Sequence, residues 1–439
     1  MSMKVNVRSL IIFLIFAIYP IIPQYFGLGG VSVLKMMCLG ISVCYIWISR
    51  AKLVMYKKAK GVLAIMGVWC VLLLCSSIIN GDVIEFVYEM LCYYCILLVG
   101  MNCVNSRSRY LWAIDLLIAG AVIAGIIGII ESFTNFNLFQ ILNTMGTDLT
   151  SKQPIRLGLH RIVSFTYQTI SYASYCMFAL ALVFYRLTLC KSKADKTKYY
   201  VFYAIIAISE ILTLSRSLLL ITLLCQCVLL YVCGYKVFLK RSVIVLAAVF
   251  VVTLILSFLP KTQEAIQSFV YMLLAVFDDR YAQILGDIDG TGVGDRMDLF
   301  AWVWSEVKDK MWLGMGGSTN FSYSYLTNNG IYDYTRTKTS IENQYLKLLF
   351  HYGILGLLAN VAIYIGLLCA CVKKWKFVLA AWESKLSINK VAFVTCLCYF
   401  ISFFAVQQME EKRMMFCFII LIFCYNINGR FDDNVKAKV

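Results

Sequence analysis

Charge is what this sequence has least of. Among 439 residues only 15% are Asp, Glu, Lys or Arg, while 61% are hydrophobic and the mean hydropathy is +0.78. A soluble domain carries about a quarter charged residues, so a water-facing surface of ordinary size is excluded. Proline is scarce too, at 4 in the whole chain, and no Ser- or Gln-rich tract occurs. That excludes long linkers and disordered arms. The only histidines are His160 and His351, so the 18 cysteines have no histidine cluster with which to share a metal. Nearly all of them lie inside apolar runs, as Cys92/Cys95, Cys225/Cys227, Cys369/Cys371 and Cys396/Cys398 do. They read as small hydrophobes packed in a bundle rather than as a metal or redox site. Lys4 and Arg8 precede the first apolar run, but no small-residue cleavage site follows it. That run reads as a retained span, not a signal peptide.

What is present is a series of apolar runs, each about 20 residues long and able to cross a bilayer as a helix. The expected fold is an all-α integral membrane bundle of about twelve transmembrane helices. The spans fall at about 9–27, 31–49, 61–79, 83–101, 110–131, 164–185, 199–214, 217–235, 242–259, 341–371, 391–407 and 413–428. If the N-terminus starts inside, the loops Arg50–Lys60, Arg107–Arg109, Arg186–Lys198, Lys236–Arg241 and Lys373–Lys390 are all cytoplasmic. Each is basic, and about 25 of the 40 lysines and arginines fall on that side, as membrane orientation requires. Both termini are then cytoplasmic. The net charge of +16 is thereby a topology signal, and no nucleic-acid partner is expected. No internal repeat is found, which weighs against an inverted-repeat transporter. The chain divides into a membrane bundle with spans 1–9 over residues 1–260, an extracytoplasmic loop over 261–340, and a second bundle section with the cytoplasmic tail over 341–439.

Two outer segments, about 133–160 and 261–340, are too long to be simple turns, and long loops on a rigid scaffold tend to carry function. Within the second, Ala265 to Phe277 is apolar but too short to span, and suits the membrane interface. The Gly-rich GDIDGTGVGD follows, and a second amphipathic helix begins near Asp295. Its expected apolar face is Phe300, Val303, Trp304 and Val307, with Arg296 on the same face. It ends at KDKMWLGMGG, whose glycines supply a stop and a tight turn. Arg296 either meets an anion or snorkels to headgroups.

Charged residues inside membrane spans mark candidate sites. Between 199 and 235 the only ones are Glu210 and Arg216, and TLSRSLLL must form a tight hairpin that puts Arg216 at the outer surface. There it either anchors at the interface or faces a cavity. The tenth span opens with SIENQYLKLLFHYGILGLL, in which Asn343, Lys347 and His351 recur every fourth residue with Glu342 at the mouth. Such a polar stripe calls for a water-filled cavity. Gly353 and Gly356 fit close helix packing. Before the sixth span, RLGLHRIVSFTYQTISYASY brings Arg156, His160 and Arg161 to the outer surface. Planar guanidinium forks gathered there suit a diphosphate and would stabilise the charge growing on a diphosphate leaving group.

These features together resemble the O-antigen polymerase and ligase superfamily of bacterial membrane glycosyltransferases, most of all the Wzy-type polymerases of capsule and O-antigen assembly. The resemblance rests on Ser215-Arg216 opening a helix and on Asp295-Arg296 leading into an aromatic helix that ends at WLGMGG. It rests also on the length of the outer loop and on SIENQYLKLLFHYGILGLL. It covers about residues 160–370. It implies a multi-pass protein of the bacterial cytoplasmic membrane that uses undecaprenyl-diphosphate-linked oligosaccharide as both donor and acceptor. A sugar hydroxyl attacks the anomeric carbon and undecaprenyl diphosphate leaves, with no metal or other cofactor. A flippase and a chain-length regulator follow as partners from the resemblance alone. By the same resemblance, Arg216 and Arg296 hold the diphosphate with Arg161 as a third candidate. Arg156, His160, Asn343, Tyr345, Lys347 and His351 serve substrate binding.

In the ligase branch the helix that starts here with Glu342-Asn343 usually starts with a His-Asn pair. The change to Glu342 argues for a polymerase, and a carboxylate at a cavity mouth can still orient or deprotonate a hydroxyl. Its structural alternative is a glutamate favourable to the helix dipole. Transfer of finished glycan to an anchor, and a lipid-linked oligosaccharide flippase or other transporter, are the competing functions.

Overall fold

The computed structural model describes residues 7–49, 60–146, 155–156, 159–166, 168–234, 267, 270–271, 274, 281, 293–328, 333–372, 387–404, 406 and 412–427. Each expected span other than the ninth coincides with a helix; the ninth, and most of the apolar stretch 265–277, lie outside the described residues. Helix is the form these runs must take, because a single spanning segment has no other way to satisfy its own backbone in lipid.

Helix α1 (Val7–Phe13) continues as a π-helical turn to Ile18, and is followed by α2 (Val33–Ser49) and α3 (Lys60–Asn80). Helices α4 (Val83–Glu89) and α5 (Ile96–Cys103) are joined by a π-helical stretch into one apolar rod. Then come α6 (Arg107–Thr134), α7 (Thr169–Leu189), α8 (Lys193–Ile211) and α9 (Arg216–Val232). After the long loop, which contains α10 (Val293–Val307), stand α11 (Gln344–Val372), α12 (Ile388–Ser402) and α13 (Arg413–Ile427). Among the described residues 5 helices are long and apolar enough to cross a membrane, and several shorter apolar ones accompany them. The chain is a helical membrane protein.

Helices α7 and α13 form the centre. Every residue from Ser171 to Tyr185 is buried, and so is every residue from Arg413 to Tyr425. A helix apolar on all sides belongs inside a bundle. Around them, α6 packs on α1 and α8, α9 on α12, and α11 on α3 and α12.

Three departures from the sequence reading have local causes. The first helix stops at Ile18 rather than near residue 27, because Pro20 and Pro23 follow and cannot donate to a helix ladder. Helix α11 starts at Gln344 rather than 341: the Asn343 side chain accepts from the backbone N–H of Tyr345 (2.9 Å) and Leu346 (3.1 Å), which is an N-cap. The expected stripe of Asn343, Lys347 and His351 is therefore two helical residues behind a cap. In α10 the inward face is Leu299, Val303 and Val307, whereas Phe300 and Trp304 stack on each other at 6.5 Å on the outside.

The long loop is not only helical. Residues Tyr323–Asn328 (β5) and Asp333–Lys338 (β6) pair antiparallel, with Tyr323 opposite Lys338 and Asn328 opposite Asp333. Two-residue pairings elsewhere join Gly27–Leu28 (β1) to Val31–Ser32 (β2), and Ile155–Arg156 (β3) to Leu159–His160 (β4).

Candidate functional site

The helix ends that alternation assigns to one side do meet. Leu212 accepts from the Ile162 N–H at 3.4 Å and Phe403 from the Gln344 N–H at 3.0 Å, while Lys412 Nζ reaches Glu89 Oε1 at 2.9 Å. Fully buried Arg413 donates to the carbonyls of Tyr19 (3.0 Å) and Ile22, tying α13 to the end of the first helix.

The loop after α10 is docked on this end by a reciprocal break. At Gly353, α11 leaves helical geometry (φ 67°, ψ −169°), and WLGMGG fits into the gap. Met315 and Gly316 N–H donate to the Phe350 and His351 carbonyls at 2.8 and 3.0 Å; Ile354 N–H donates to Met311 at 2.8 Å. The two backbones touch. A Cβ on Gly353 would lie 2.5 Å from the Trp312 carbonyl oxygen, and one on Gly314 would lie 2.5 Å from that of His351. Gly353 thus serves a helix break, where simple helix packing was expected, and Gly356, against Trp69, keeps the packing role. Ser76 Oγ holds the Leu313 carbonyl at 2.9 Å, and Asp82 accepts from both the backbone N–H and the hydroxyl of Ser318.

Between this docked turn and the ends of α2, α4 and α11 lies a cavity of about 820 Å³. Its size is at the upper end of the roughly 300–1,000 Å³ usual for ligand sites. Lys35, Glu85, Tyr88, Glu89, Lys347 and His351 line it, with Gln24, Gln168 and Asn320 adding amides and Tyr93 and Tyr352 adding rings. Lys35 Nζ sits 3.1 Å above the Tyr88 ring centroid, a cation–π contact. His351 Nδ1 lies 2.8 Å from the Gly316 carbonyl oxygen. A carbonyl only accepts, so Nδ1 carries the hydrogen, and in the neutral ring Nε2 keeps its lone pair.

The residues singled out from the sequence spread over this end of the bundle. Lys347 and His351 line the cavity. Asn343 is occupied as a cap and also donates to the Phe404 carbonyl at 3.1 Å. The Tyr345 hydroxyl donates to the Phe400 carbonyl at 2.9 Å, among the rings of Phe400, Phe403 and Phe404. Glu342 is half-buried beside the cap and is not among the lining residues. Arg161 Nε donates to the Thr213 carbonyl at 2.9 Å, next to half-buried Arg216 at the start of α9. Residues 160–164 are held by α6: Glu131 accepts from Ser164 N–H at 2.8 Å, and Ser132 Oγ donates to the His160 carbonyl at 2.9 Å. Arg156 pairs with Leu159 in the β3–β4 turn, and Arg296 lies in the first turn of α10; both side chains are outside the described residues.

Sequence reasoning missed the wall made by α2 and α4. Lys35, Glu85 and Glu89 are charges inside apolar spans, so the rule that flagged Glu210 and Arg216 applies to them equally.

At the end that carries its long loop, the bundle has a large cavity lined by charged side chains, amides and tyrosines. Residues 199–361 match the family model described as O-antigen ligase. This match, over somewhat more than a third of the chain, supports the O-antigen polymerase and ligase superfamily, whose members are membrane glycosyltransferase-like enzymes of O-antigen-related polysaccharide biosynthesis. No curated protein matches the chain.

Proposed function

We propose that the protein polymerises undecaprenyl-diphosphate-linked oligosaccharide repeat units into capsular or O-antigen polysaccharide at the outer face of the cytoplasmic membrane. The observation that carries this reading is the cavity. It takes Lys347 and His351 from the family-matched segment and surrounds them with tyrosines and side-chain amides, the groups that hold sugar rings and hydroxyls. The sequence supports a polymerase over a ligase through Glu342, which stands where the ligase branch usually has histidine. In this proposal Arg216 and Arg296 hold the donor diphosphate and Arg161 steadies the turn before Arg216. Glu342, beside the cap that opens α11 and outside the cavity lining, orients the acceptor as it approaches. Chemistry at the anomeric carbon then requires in-line approach of a sugar hydroxyl, loss of that hydroxyl's proton and stabilisation of the leaving diphosphate.

The test is gene deletion followed by a glycan ladder on a gel. Single repeat units attached to their anchor are expected. No attached glycan at all would favour a ligase, and unattached material trapped on the cytoplasmic side would favour a flippase. Arg216→Ala and Arg296→Ala are each expected to abolish long chains with protein levels intact. Full-length glycan in both variants would overturn the diphosphate assignment.

A further inference from the structure

Polymerisation needs a group that takes the proton from the attacking hydroxyl, and the cavity holds more than one carboxylate. Three acidic residues stand on the first turns of α4 or just before them. Asp82 is taken up by Ser318, and Glu89 by Lys412 at 2.9 Å. Glu85 is different: its side chain is exposed, lines the cavity, and has no hydrogen-bond or ion-pair partner among the described residues. Beside it the wall is cut back at Gly317. A Cβ there would lie 3.3 Å from Glu85 Cγ and 3.1 Å from the Tyr352 hydroxyl, so the absent side chain leaves a gap between a carboxylate and a phenol.

We propose that Glu85 is the base that accepts the acceptor hydroxyl's proton, within the polymerase reading above and resting on it. The hydroxyl O–H bond breaks with its proton passing to a Glu85 oxygen. The hydroxyl oxygen bonds to the anomeric carbon, and the bond from that carbon to the diphosphate breaks with its electron pair leaving on the diphosphate. Glu85 then releases the proton to water in the open cavity. The other cavity base is His351 Nε2, and charge decides between them. Protonating His351, only 7% exposed and one helical turn from Lys347, creates a buried cation beside a cation. Protonating Glu85 removes a charge. Glu342 does not line the cavity. Glu85 also lies outside the family-matched segment, so this assignment makes α4 a second contributor to the chemistry.

The experiment uses the full chain in liposomes and, as probe, lipid-linked repeat units extracted from the deletion strain. Turnover is followed against pH and probe concentration. Glu85→Gln should lower turnover by about 10²–10⁴-fold, the usual worth of a positioned base. Its half-saturating probe concentration should stay within about threefold, as expected when only the transition state is affected. Glu85→Asp should restore part of the rate with a displaced pH profile. Gly317 has no positive φ, so Gly317→Ala keeps its backbone while its methyl narrows the gap; a loss of about tenfold or more is expected. If Glu85→Gln does not give a monodisperse protein, Glu85→Asp and Gly317→Ala decide. Wild-type turnover in Glu85→Gln, unchanged rate and pH profile in Glu85→Asp with unchanged Gly317→Ala, or loss confined to His351→Gln or Glu342→Gln would overturn the assignment while leaving the polymerase reading intact. Failure of the wild type itself to lengthen the probe would overturn both.

Discussion

The two ends of the helical bundle use the same kinds of residue in opposite ways. At one, Arg186 clamps Asp115 through two bonds of 2.8 Å, and the Tyr199 hydroxyl adds a third at 2.6 Å to the same carboxylate. That cluster is closed on itself and joins α6, α7 and α8. At the other, Lys35, Glu85, Lys347 and His351 surround open volume, and the Glu89–Lys412 pair is one part of the wall. A charge cluster closed on itself holds helices together, whereas charged side chains that line a cavity stand where a ligand can reach them.

The comparison can be broken most forcefully at the docked turn. Gly353→Ala puts a methyl into the Trp312 carbonyl at a residue already at φ +67°. A loss of about 3 kcal/mol, read by thermal unfolding in detergent, and disappearance of long glycan are expected. Next comes the wall. Glu89→Gln strands Lys412, whose side chain is 17% exposed, against Tyr93. A loss of about 2 kcal/mol is expected, largely recovered in Glu89→Gln/Lys412→Met. The smallest effect belongs to the closed end. Asp115 is 37% exposed, so Asp115→Asn should cost about 1 kcal/mol and leave the glycan ladder unchanged. A shortened ladder in that variant would erase the distinction between the two ends.

Hydropathy was enough to anticipate the described helices, because a span needs only length and apolarity. Helix boundaries depended on finer signals that the sequence does carry. Pro20 and Pro23 end the first helix, and Asn343 caps α11 three residues later than hydropathy suggests. The β5–β6 hairpin was signalled but not read: alternating Tyr and Thr flank Asn-Asn-Gly, a strand–turn–strand pattern inside a loop expected to be partly helical. The cavity was legible by half. Lys347 and His351 announced themselves by helical spacing, but the facing wall is assembled from partners far apart in sequence. Nothing near Glu89 predicts Lys412, and nothing near Glu85 predicts that Gly317 will stand beside it. Likewise, the fit of WLGMGG into the break at Gly353 depends on two backbones meeting, which no residue pattern on either strand encodes.

The claim that the cavity end is where glycan reacts is tested most directly by an electron cryomicroscopy structure of the full chain with the extracted lipid-linked repeat unit bound. Sugar density between Lys35, Tyr88 and Lys347, with the nearest hydroxyl against Glu85, is the predicted result. An empty cavity, with the sugars held at the opposite end beside Asn105 and Arg109, would contradict it.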